Sequence, residues 1–260
     1  MVDRGLACNM REAHALIMAN RVRSGHDSEV VVDKPGMMLG ADAPLIVKQT
    51  KKYVSRGGLK LEGALDEFAV DVTGLRCVDL GASTGGFTDC LLRRGAAQVC
   101  AVDVGYGQLA HRLQVDPRVQ VWDRTNIRTV DPHSIGAPFD IVVADLSFVG
   151  ISKVAHDIAR FAGKDGVCLL LIKPQFEARK DEVGARGIVT DEAVHARVLK
   201  DTIEALGEAG LNTSALTRSP IQGATGNTEF WVRCGSCESA SVVPEKLSVL
   251  QSMHERSAYT

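Results

Sequence analysis

The chain has 260 residues, of which 45% are hydrophobic and 24% are charged, and its formal net charge is −2. This composition is typical of a globular protein, and the length suits one large domain with a small companion. No apolar run approaches the ~18–20 residues of a membrane span, and the charged start MVDRGLACNMREAH differs from a signal peptide. The seven scattered cysteines indicate reduced thiols, so we expect a cytoplasmic protein.

Residues 1–47 predict a small separate unit. Asn9 and Glu12 form a weak capping box, and Met10, Ala13 and Ile17 then share one helical face. After the helix, short apolar runs separated by glycine and proline predict strands. Residues 48–59 form a basic linker without an acidic residue. This linker is either a solvated segment or a contact with nucleic acid.

From residue 60 to residue 235 the pattern alternates between strands and helices. Continuous apolar runs such as IVVAD and VCLLLI are typical of a sheet that is covered on both faces. We predict strands at 76–80, 98–103, 119–122, 140–145, 167–172, 213–217 and 228–234, and helices at 60–70, 86–95, 107–114, 151–162 and 191–209. This order predicts an α/β fold with a doubly wound, seven-stranded, mostly parallel sheet. The tail, residues 236–260, could form a last helix near 243–255.

A glycine turn follows the first strand of this sheet, in the stretch CVDLGASTGGFTD. A P-loop would need a lysine after its last glycine, and here Phe87 and Thr88 follow Gly86. The dinucleotide fingerprint G-x-G-x-x-G also fails, because the glycines here are Gly81, Gly85 and Gly86. The remaining candidate is S-adenosylmethionine (SAM), which carries a cationic sulfonium in place of phosphates. Such a ligand suits a glycine turn that is surrounded by carboxylates.

Aspartates do recur at the strand ends, at positions 79, 103, 123 and 145. Ligands of such sheets bind at the carboxyl ends of the strands, although aspartate also favours turns for local reasons. Asp103 could accept hydrogen bonds from both ribose hydroxyls of SAM, and Asp123 would lie near the adenine amino group. The predicted cofactor-binding residues are Gly81, Ser83, Gly85, Gly86, Phe87, Asp103, Asp123, Asn126 and Asp145.

Several motifs together resemble one protein family. The stretches VDLGASTGGFTD, AVDVGYGQLA, DRTNIR, VVADLSF and IKPQFE match the TlyA group of rRNA 2'-O-methyltransferases, historically labelled haemolysin A. The resemblance covers essentially the whole chain. Residues 60–235 are also similar to FtsJ-type, Rossmann-like class I methyltransferases, and the stretch RGLACNMREAHALIMANRVRSG resembles the S4 RNA-binding module. The opening helix of that module usually precedes RGLA, so we expect it to be missing here or to lie upstream.

The resemblance implies SAM as cofactor, ribosomal RNA or ribosomal subunits as partner, and a cytidine ribose as target. It also implies a catalytic tetrad of Lys60, Asp145, Lys173 and Glu229. Of these, Lys173 follows the most apolar run of the chain, which indicates a buried lysine with a partner or a role. We assign it the role of general base, with the other three orienting the substrate and balancing charge. The predicted RNA-binding residues are Arg4, Arg11, Arg21, Arg23, Lys51, Lys52 and Arg56.

Several alternatives are less favoured. Asp145-Leu-Ser-Phe lacks the prolines typical of amino-group methyltransferases, and no cysteine follows a proline as in enzymes that methylate carbon 5. Cys234 and Cys237 form an isolated CxxC pair, so we predict no metal site. Loop 174–190 is either a flap over RNA or a solvated loop. At the level of function, the rivals are a membrane-active haemolysin and a non-catalytic ribosome assembly factor. We infer neither a membrane nor an obligate protein partner.

Overall fold

The computed structural model describes residues 1–25, 30–48 and 52–236. The chain divides into two compact units, Met1–Lys51 and Lys52–Thr260. In the part of the chain that is described, no helix has the length and apolar character needed to cross a membrane. Lys51, Cys237 and the tail after it lie outside the described residues, so the structure does not place them.

The first unit combines one helix with a three-stranded antiparallel sheet. Helix α1 (Met10–Met18) begins as predicted, because the Asn9 side chain accepts the N–H of Glu12 at 2.9 Å. The Glu12 side chain in turn accepts the N–H of Cys8 at 2.6 Å. The sheet has the order β2 (Val30–Val32), β1 (Val22–Ser24), β3 (Leu45–Val47). The small α+β unit is compatible with an S4-like module, and that assignment stays a prediction.

Seven strands of the described residues form the sheet of the second unit. In chain order they are β4 (Arg76–Leu80), β5 (Gln98–Val102), β6 (Val119–Trp122), β7 (Phe139–Ala144), β8 (Ala162–Ile172), β9 (Asn212–Arg218) and β10 (Phe230–Gly235). Their order in the sheet is β6-β5-β4-β7-β8-β10-β9. Strand β10 runs antiparallel to both of its neighbours, and the other pairs are parallel. The predicted doubly wound, mostly parallel sheet is confirmed.

Helices cover both faces of this sheet. They are α2 (Gly57–Glu67), α3 (Gly86–Arg93), α4 (His111–Gln114), α5 (Ala155–Ala159), α6 (Pro174–Glu177) and α7 (Glu192–Glu208), with 3-10 turns at Pro132–Ile135, Ile151–Val154 and Lys180–Glu182. Successive residues of a strand enter opposite cores. In β4, Val78 packs in the core that contains Leu199 and Leu206 of α7, whereas Cys77 packs in the core that contains Leu61 of α2. This two-sided burial explains the continuous apolar runs.

The second compact unit includes residues that the sequence analysis assigned to the linker. The prediction placed a domain boundary at residue 60, and residues 52–59 belong to the second unit. Tyr53 is buried and donates its hydroxyl to Glu62 at 2.8 Å, while the N–H of Val54 donates to Asp89 at 2.9 Å. These contacts attach the second half of the predicted linker to helices α2 and α3.

Three other elements differ from the prediction. The helix expected at 151–162 is a 3-10 turn followed by α5, which ends at Ala159. The helix expected at 107–114 is limited to α4, because the carboxylates of Asp103 and Asp123 hold the N–H groups of Gly105 and Gly107 in a loop. Strand β8 begins at Ala162 rather than at 167, and Ala162 pairs with Phe139. Its first half, Gly-Lys-Asp-Gly at 163–166, lacks the apolar signal that marks a buried strand.

Candidate active site

The glycine turn connects β4 to α3 and adopts a conformation that few residues other than glycine tolerate. Gly81 and Gly85 have φ angles of 87° and 90°, and Ser83 between them has φ 47°. A Cβ atom at Gly81 would lie 2.7 Å from the carbonyl oxygen of Asp145. The turn therefore passes directly against the end of β7, and Gly81 is required both by its conformation and by this close approach.

A cavity of about 660 Å³ opens beside this turn, at the carboxyl ends of the parallel strands. Its size is within the range of small-molecule sites. The residues that line it come from five stretches of the chain: Gly81, Ser83, Val102, Asp103, Val104, Gly105, Gln108, Thr125, Asn126, Ile127, Arg128, Asp145, Leu146, Ser147, Phe148, Val149 and Val154. Of the predicted cofactor residues, the structure brings Gly81, Ser83, Asp103, Asn126 and Asp145 to the cavity. Thr125 and Gln108 were not predicted, because no motif rule marked them.

The other predicted cofactor residues do not line the cavity. Phe87 points into the core, where its ring lies 5.3 Å from that of Trp231. Gly85 starts helix α3, and a Cβ atom at Gly86 would lie 3.0 Å from the backbone nitrogen of Gly58. These two glycines allow the turn and the packing of α3 on α2. Asp123 accepts the N–H of Gly107 at 2.8 Å and supports the loop at the cavity rim.

Asp103 is the carboxylate best placed to bind a ligand in the cavity. Its Oδ2 accepts the N–H of Ser83 at 2.8 Å, and its Oδ1 accepts the N–H of Gly105 at 2.7 Å. Each carboxylate oxygen has a second acceptor site that these bonds leave open. The two backbone bonds fix the carboxylate against both the glycine turn and the β5 loop, so its remaining acceptor sites are preoriented.

Asp79 is a fully buried carboxylate near the carboxyl end of β4. Its Oδ2 accepts hydrogen bonds from Thr88, at 2.9 Å from the backbone N–H and 2.7 Å from the hydroxyl. Among the described residues its Oδ1 has no hydrogen-bond partner. Burial raises the pKa of Asp79 to about 7, and the nearby charges of Asp145 and Asp103 act in the same direction, against the Thr88 bonds. Three carboxylates therefore crowd a site that would be stabilised by a positive charge.

The four tetrad residues form two buried ion pairs. Lys60 on α2 lies 2.5 Å from Glu229, and Lys173 lies 2.5 Å from Asp145. Both lysines are almost entirely buried, with 8% and 9% exposure. The Lys173 ammonium is also 3.4 Å from the Ser147 hydroxyl. Buried lysines of this kind require a partner, and each of these has a carboxylate.

The strand register explains why the two ion pairs lie at one edge of the sheet. Asp145 follows β7 and Lys173 follows β8, and these strands are parallel neighbours. In the antiparallel pair of β8 and β10, Phe230 is opposite Ile172. Glu229 and Lys173 are the next residues outward on the two strands, so they lie side by side at the same edge as Asp145.

An exposed phenylalanine stands at the mouth of the cavity. Phe148 is 93% exposed and has a φ of 70°, which is an unusual conformation for a bulky residue. Its ring lies 5.9 Å from that of Phe176, and the Lys173 ammonium lies 5.7 Å from the Phe176 ring. The exposed Phe148 ring, which packs on the ring beside Lys173, offers a flat surface to a substrate that enters from solvent.

Most of the predicted RNA-binding side chains make contacts within their own unit. Arg4 donates to the carbonyl groups of Ala43 and Ala41, and Arg21 donates to that of Lys48. Arg11 is exposed and Arg23 is half-buried. In the second unit, Lys52 pairs with Glu62 and Arg56 donates to the carbonyl of Gln222, both at 2.5 Å. These contacts give several of the basic residues a structural role, and their binding to RNA stays a prediction.

Loop 174–190 is attached to the rest of the unit at several points. Glu182 accepts the N–H of Arg179 at 2.8 Å and pairs with Arg197 of α7. Further along, Asn227 accepts the N–H of Val189 and donates to the carbonyl of Gly187. Asn227 is fully buried and was not predicted, although it stands only two residues before Glu229. The contact of this loop with RNA stays a prediction.

Comparison with known proteins agrees with this geometry. Residues 53–236 match the model of the FtsJ-like methyltransferase family. The chain belongs to this family. A Mycobacterium tuberculosis protein named 16S/23S rRNA (cytidine-2'-O)-methyltransferase TlyA is 44% identical over 90% of this chain and 87% of its own length. The predicted resemblance to the TlyA group and to FtsJ-type enzymes is therefore confirmed.

Two further relatives have haemolysin names. Hemolysin A of Brachyspira hyodysenteriae is 40% identical over 71% of this chain and 77% of its own length. A solved structure from Streptococcus thermophilus, also under a hemolysin name, has 32% identity and a TM-score of 0.71 over 98% of this chain and 96% of that chain. The haemolysin and methyltransferase names are thus attached to similar chains.

Proposed function

We propose that this protein transfers a methyl group from SAM to the ribose 2'-hydroxyl of a cytidine in ribosomal RNA. The observation that carries this proposal is the pair of buried lysine–carboxylate contacts at the carboxyl edge of the sheet, one of which includes the cavity residue Asp145. The name of the Mycobacterium tuberculosis relative supports the same reaction and the same class of substrate. A ribosomal substrate also supports a cytoplasmic location.

The residues of the cavity fit SAM. Asp103 would hold the ribose hydroxyls of the cofactor through its open acceptor sites, and Gly81 lets the glycine turn at the cavity pass directly against the end of β7. The carboxylates of Asp103 and Asp145 line the cavity and supply the negative charge that suits a cationic ligand. When bound, SAM supplies an electrophilic methyl group on its sulfonium.

We assign Lys173, in its neutral amine form, to take the proton of the ribose 2'-hydroxyl at its Nζ atom. This role requires that the ammonium group paired with Asp145 first releases a proton to solvent. The adjacent Asp145 stabilises the ammonium group that this transfer leaves on Lys173, and Ser147 holds the same nitrogen from a second direction. Lys60 and Glu229 form a fixed charged pair that orients the ribose. General-base catalysis of this kind typically contributes ~10²–10⁴-fold to a rate, and the remainder comes from positioning.

Phe148 supports an RNA substrate in particular. Sequence-independent and sequence-specific RNA sites both stack unpaired bases on exposed aromatic rings. The Phe148 ring is exposed at the cavity mouth, close to the residues that would hold the ribose. We propose that the base of the target nucleotide stacks on this ring while its ribose reaches Lys173.

The test is transfer of labelled methyl from SAM to purified 16S and 23S rRNA and to assembled 30S and 50S subunits. Nuclease digestion should yield labelled 2'-O-methylcytidine, and Lys173→Met should abolish the label. The matched control is Lys200→Met, which removes an exposed lysine of α7 and should leave the activity unchanged. Absence of label on every substrate, despite SAM binding, would contradict the proposal.

The same preparation separates the rival functions. Leakage of a dye from liposomes without methyl transfer would support a membrane-active haemolysin. Binding to ribosomal subunits without methyl transfer, and with SAM bound, would support an assembly factor. Mapping of the labelled nucleotide would also show which subunit is the substrate.

A further inference from the structure

We infer that Glu177 is a positioning residue for this reaction. Its carboxylate joins the segment that carries Lys173 to the segment that carries Asp145 and Phe148. The inference rests on the proposed function, because it concerns how the residues of that catalytic site are held in position. No sequence motif assigned Glu177 a role.

The contact links two segments that are far apart in the sequence. Glu177 is the last residue of α6, the short helix that begins directly after Lys173. Its Oε2 accepts the hydroxyl of Ser152 at 2.5 Å, and its Oε1 lies 3.4 Å from the N–H of the same residue. Ser152 belongs to the 3-10 turn that follows the Asp145–Gly150 segment. The carboxylate thus caps this turn from outside it.

Gly150 shows how closely the Glu177 carboxyl group approaches the second segment. A Cβ atom at Gly150 would lie 2.6 Å from Cδ of Glu177 and 2.9 Å from its Oε1. Any larger residue at position 150 would displace the carboxyl group from Ser152. Gly150, Ser152 and Glu177 therefore form one structural unit.

Three contacts connect the two segments in the same order along both. Lys173 pairs with Asp145, the ring of Phe176 packs on that of Phe148, and Glu177 bonds Ser152. The first of these contacts is catalytic in our proposal, and the second supports the exposed ring. The third is the last contact along both segments, so its loss would release one end of each.

The backbone at Phe148 makes this support necessary. A phenylalanine with φ 70° is strained, and such a conformation persists only when its surroundings enforce it. The Phe148 side chain is almost fully exposed, and its ring meets that of Phe176. Besides this contact, the constraint comes from the two ends of the segment, which are Asp145 directly after β7 and the turn that Glu177 caps.

The groups around the Glu177 carboxyl group are hydrogen-bond donors and a positive charge, so they favour a hydrogen-bond acceptor at this position. Burial raises the pKa of Glu177, while the Ser152 hydroxyl, the backbone N–H groups of Ser152 and Ile151, and the charge of Lys153 act in the opposite direction. Removal of the carboxyl group would leave these donors without their acceptor. A neutral glutamine keeps an acceptor oxygen of the same reach, whereas alanine does not.

The test compares Glu177→Ala, Glu177→Gln, Ser152→Ala and the double variant Glu177→Ala/Ser152→Ala. Single-turnover methyl transfer is measured at saturating SAM and rRNA, together with the Kd for SAM and the Tm. A displacement of catalytic groups by about 1 Å can cost on the order of 10²-fold in rate. We expect Glu177→Ala to slow the single-turnover step about 10- to 100-fold, with the Kd for SAM changed less than about threefold.

The conservative and double variants distinguish positioning from general destabilisation. Glu177→Gln should recover most of the rate, and the double variant should be no slower than Glu177→Ala because both substitutions remove the same contact. The control is Asp131→Ala. Asp131 is a carboxylate that also caps a 3-10 turn, through the N–H of His133, but that turn carries no proposed catalytic residue. Its loss should lower the Tm without slowing transfer.

The outcomes separate this inference from the proposed function. If the wild-type protein methylates rRNA and Glu177→Ala, folded and saturated with SAM, is equally fast, the inference is overturned and the function stands. If Glu177→Ala does not fold, the test depends on the two remaining single variants. The inference is then overturned if Glu177→Gln and Ser152→Ala both transfer methyl as fast as wild type, or if their loss of rate equals that of Asp131→Ala. A wild-type protein that is inactive on every rRNA overturns both.

Discussion

Replacement of Asp79 by asparagine should stabilise the ligand-free protein, and more strongly as the pH rises. Asp79 is fully buried, and one of its oxygens has no hydrogen-bond partner among the described residues. Burial raises the pKa of Asp79 from 3.8 to about 7. Between about pH 4 and pH 7, Asp79 is therefore protonated in the folded state and ionised in the unfolded state. Ionisation of Asp79 therefore reduces stability as the pH increases from about 4 through 7. Asparagine cannot ionise and can still accept the two hydrogen bonds from Thr88.

The size of the effect follows from the two pKa values. One pKa unit corresponds to about 1.4 kcal/mol, so the shift implies a cost of about 2 kcal/mol at pH 5 and about 4 kcal/mol at pH 8. The advantage of Asp79→Asn in free energy of unfolding should therefore grow by roughly 2–3 kcal/mol between these pH values. Any constant gain or loss from the fit of the amide itself cancels from this difference.

Urea denaturation at pH 5, 6, 7 and 8 measures this dependence, with SAM absent. Asp116→Asn is a control without pH dependence in this range, because the Arg118 guanidinium holds the pKa of Asp116 below its usual value of 3.8. That ion pair stabilises the folded state above the unfolded pKa, and the benefit is lost only as the pH falls below about 4. The difference in stability between Asp116→Asn and wild type should thus be constant from pH 5 to pH 8. Parallel curves of stability against pH for wild type and Asp79→Asn would refute the reasoning.

The remaining predictions concern binding and catalysis. Lys173→Arg keeps the positive charge beside Asp145 but cannot act as a base, so single-turnover transfer should fall ~10²–10⁴-fold with SAM and rRNA still bound; near-normal transfer would exclude the base assignment. Asp103→Ala should weaken SAM binding in calorimetry, since each charge-assisted bond is worth roughly 1.5–3 kcal/mol, while unchanged affinity would remove Asp103 from the site. Phe148→Ala should reduce rRNA methylation but not SAM affinity, because base stacking contributes ~1–3 kcal/mol; equal rates at subsaturating rRNA would contradict this. Deletion of residues 1–47 should lower rRNA affinity and its salt dependence, as expected for lost phosphate contacts, and an unchanged affinity would refute that role.

The sheet and its ligand edge could be predicted because burial leaves a strong signal in the sequence. Runs such as IVVAD and VCLLLI identify strands with two buried faces, and an aspartate or lysine directly after such a run must lie at the carboxyl edge. This reasoning located Asp103, Asp145 and Lys173 correctly at one edge. The glycine turn was equally predictable, because the φ angles at Gly81 and Gly85 restrict the residue type.

The direction of individual side chains was less predictable. Phe87 and Asp123 belong to motifs that form the cavity, but Phe87 packs against Trp231 and Asp123 binds the backbone of Gly107. Proximity in sequence to a binding turn does not show which face a side chain occupies. Asn227 and Glu177 were missed for a related reason, since their contacts are with groups 25 or more residues away: the Ser152 hydroxyl for Glu177, and the backbone of Gly187 and Val189 for Asn227.

The position of Glu229 in the sequence follows from the reversal of one strand. Asp145 and Lys173 stand after their strands, because parallel strands expose their carboxyl ends at the ligand edge. Strand β10 is antiparallel, so its amino end lies at that edge, and a residue that reaches the site from β10 must precede the strand. Glu229 does so, immediately before Phe230. The register of β8 against β10 therefore sets the position of the Lys60 partner, and a slip of one residue would turn Glu229 to the opposite face of the sheet.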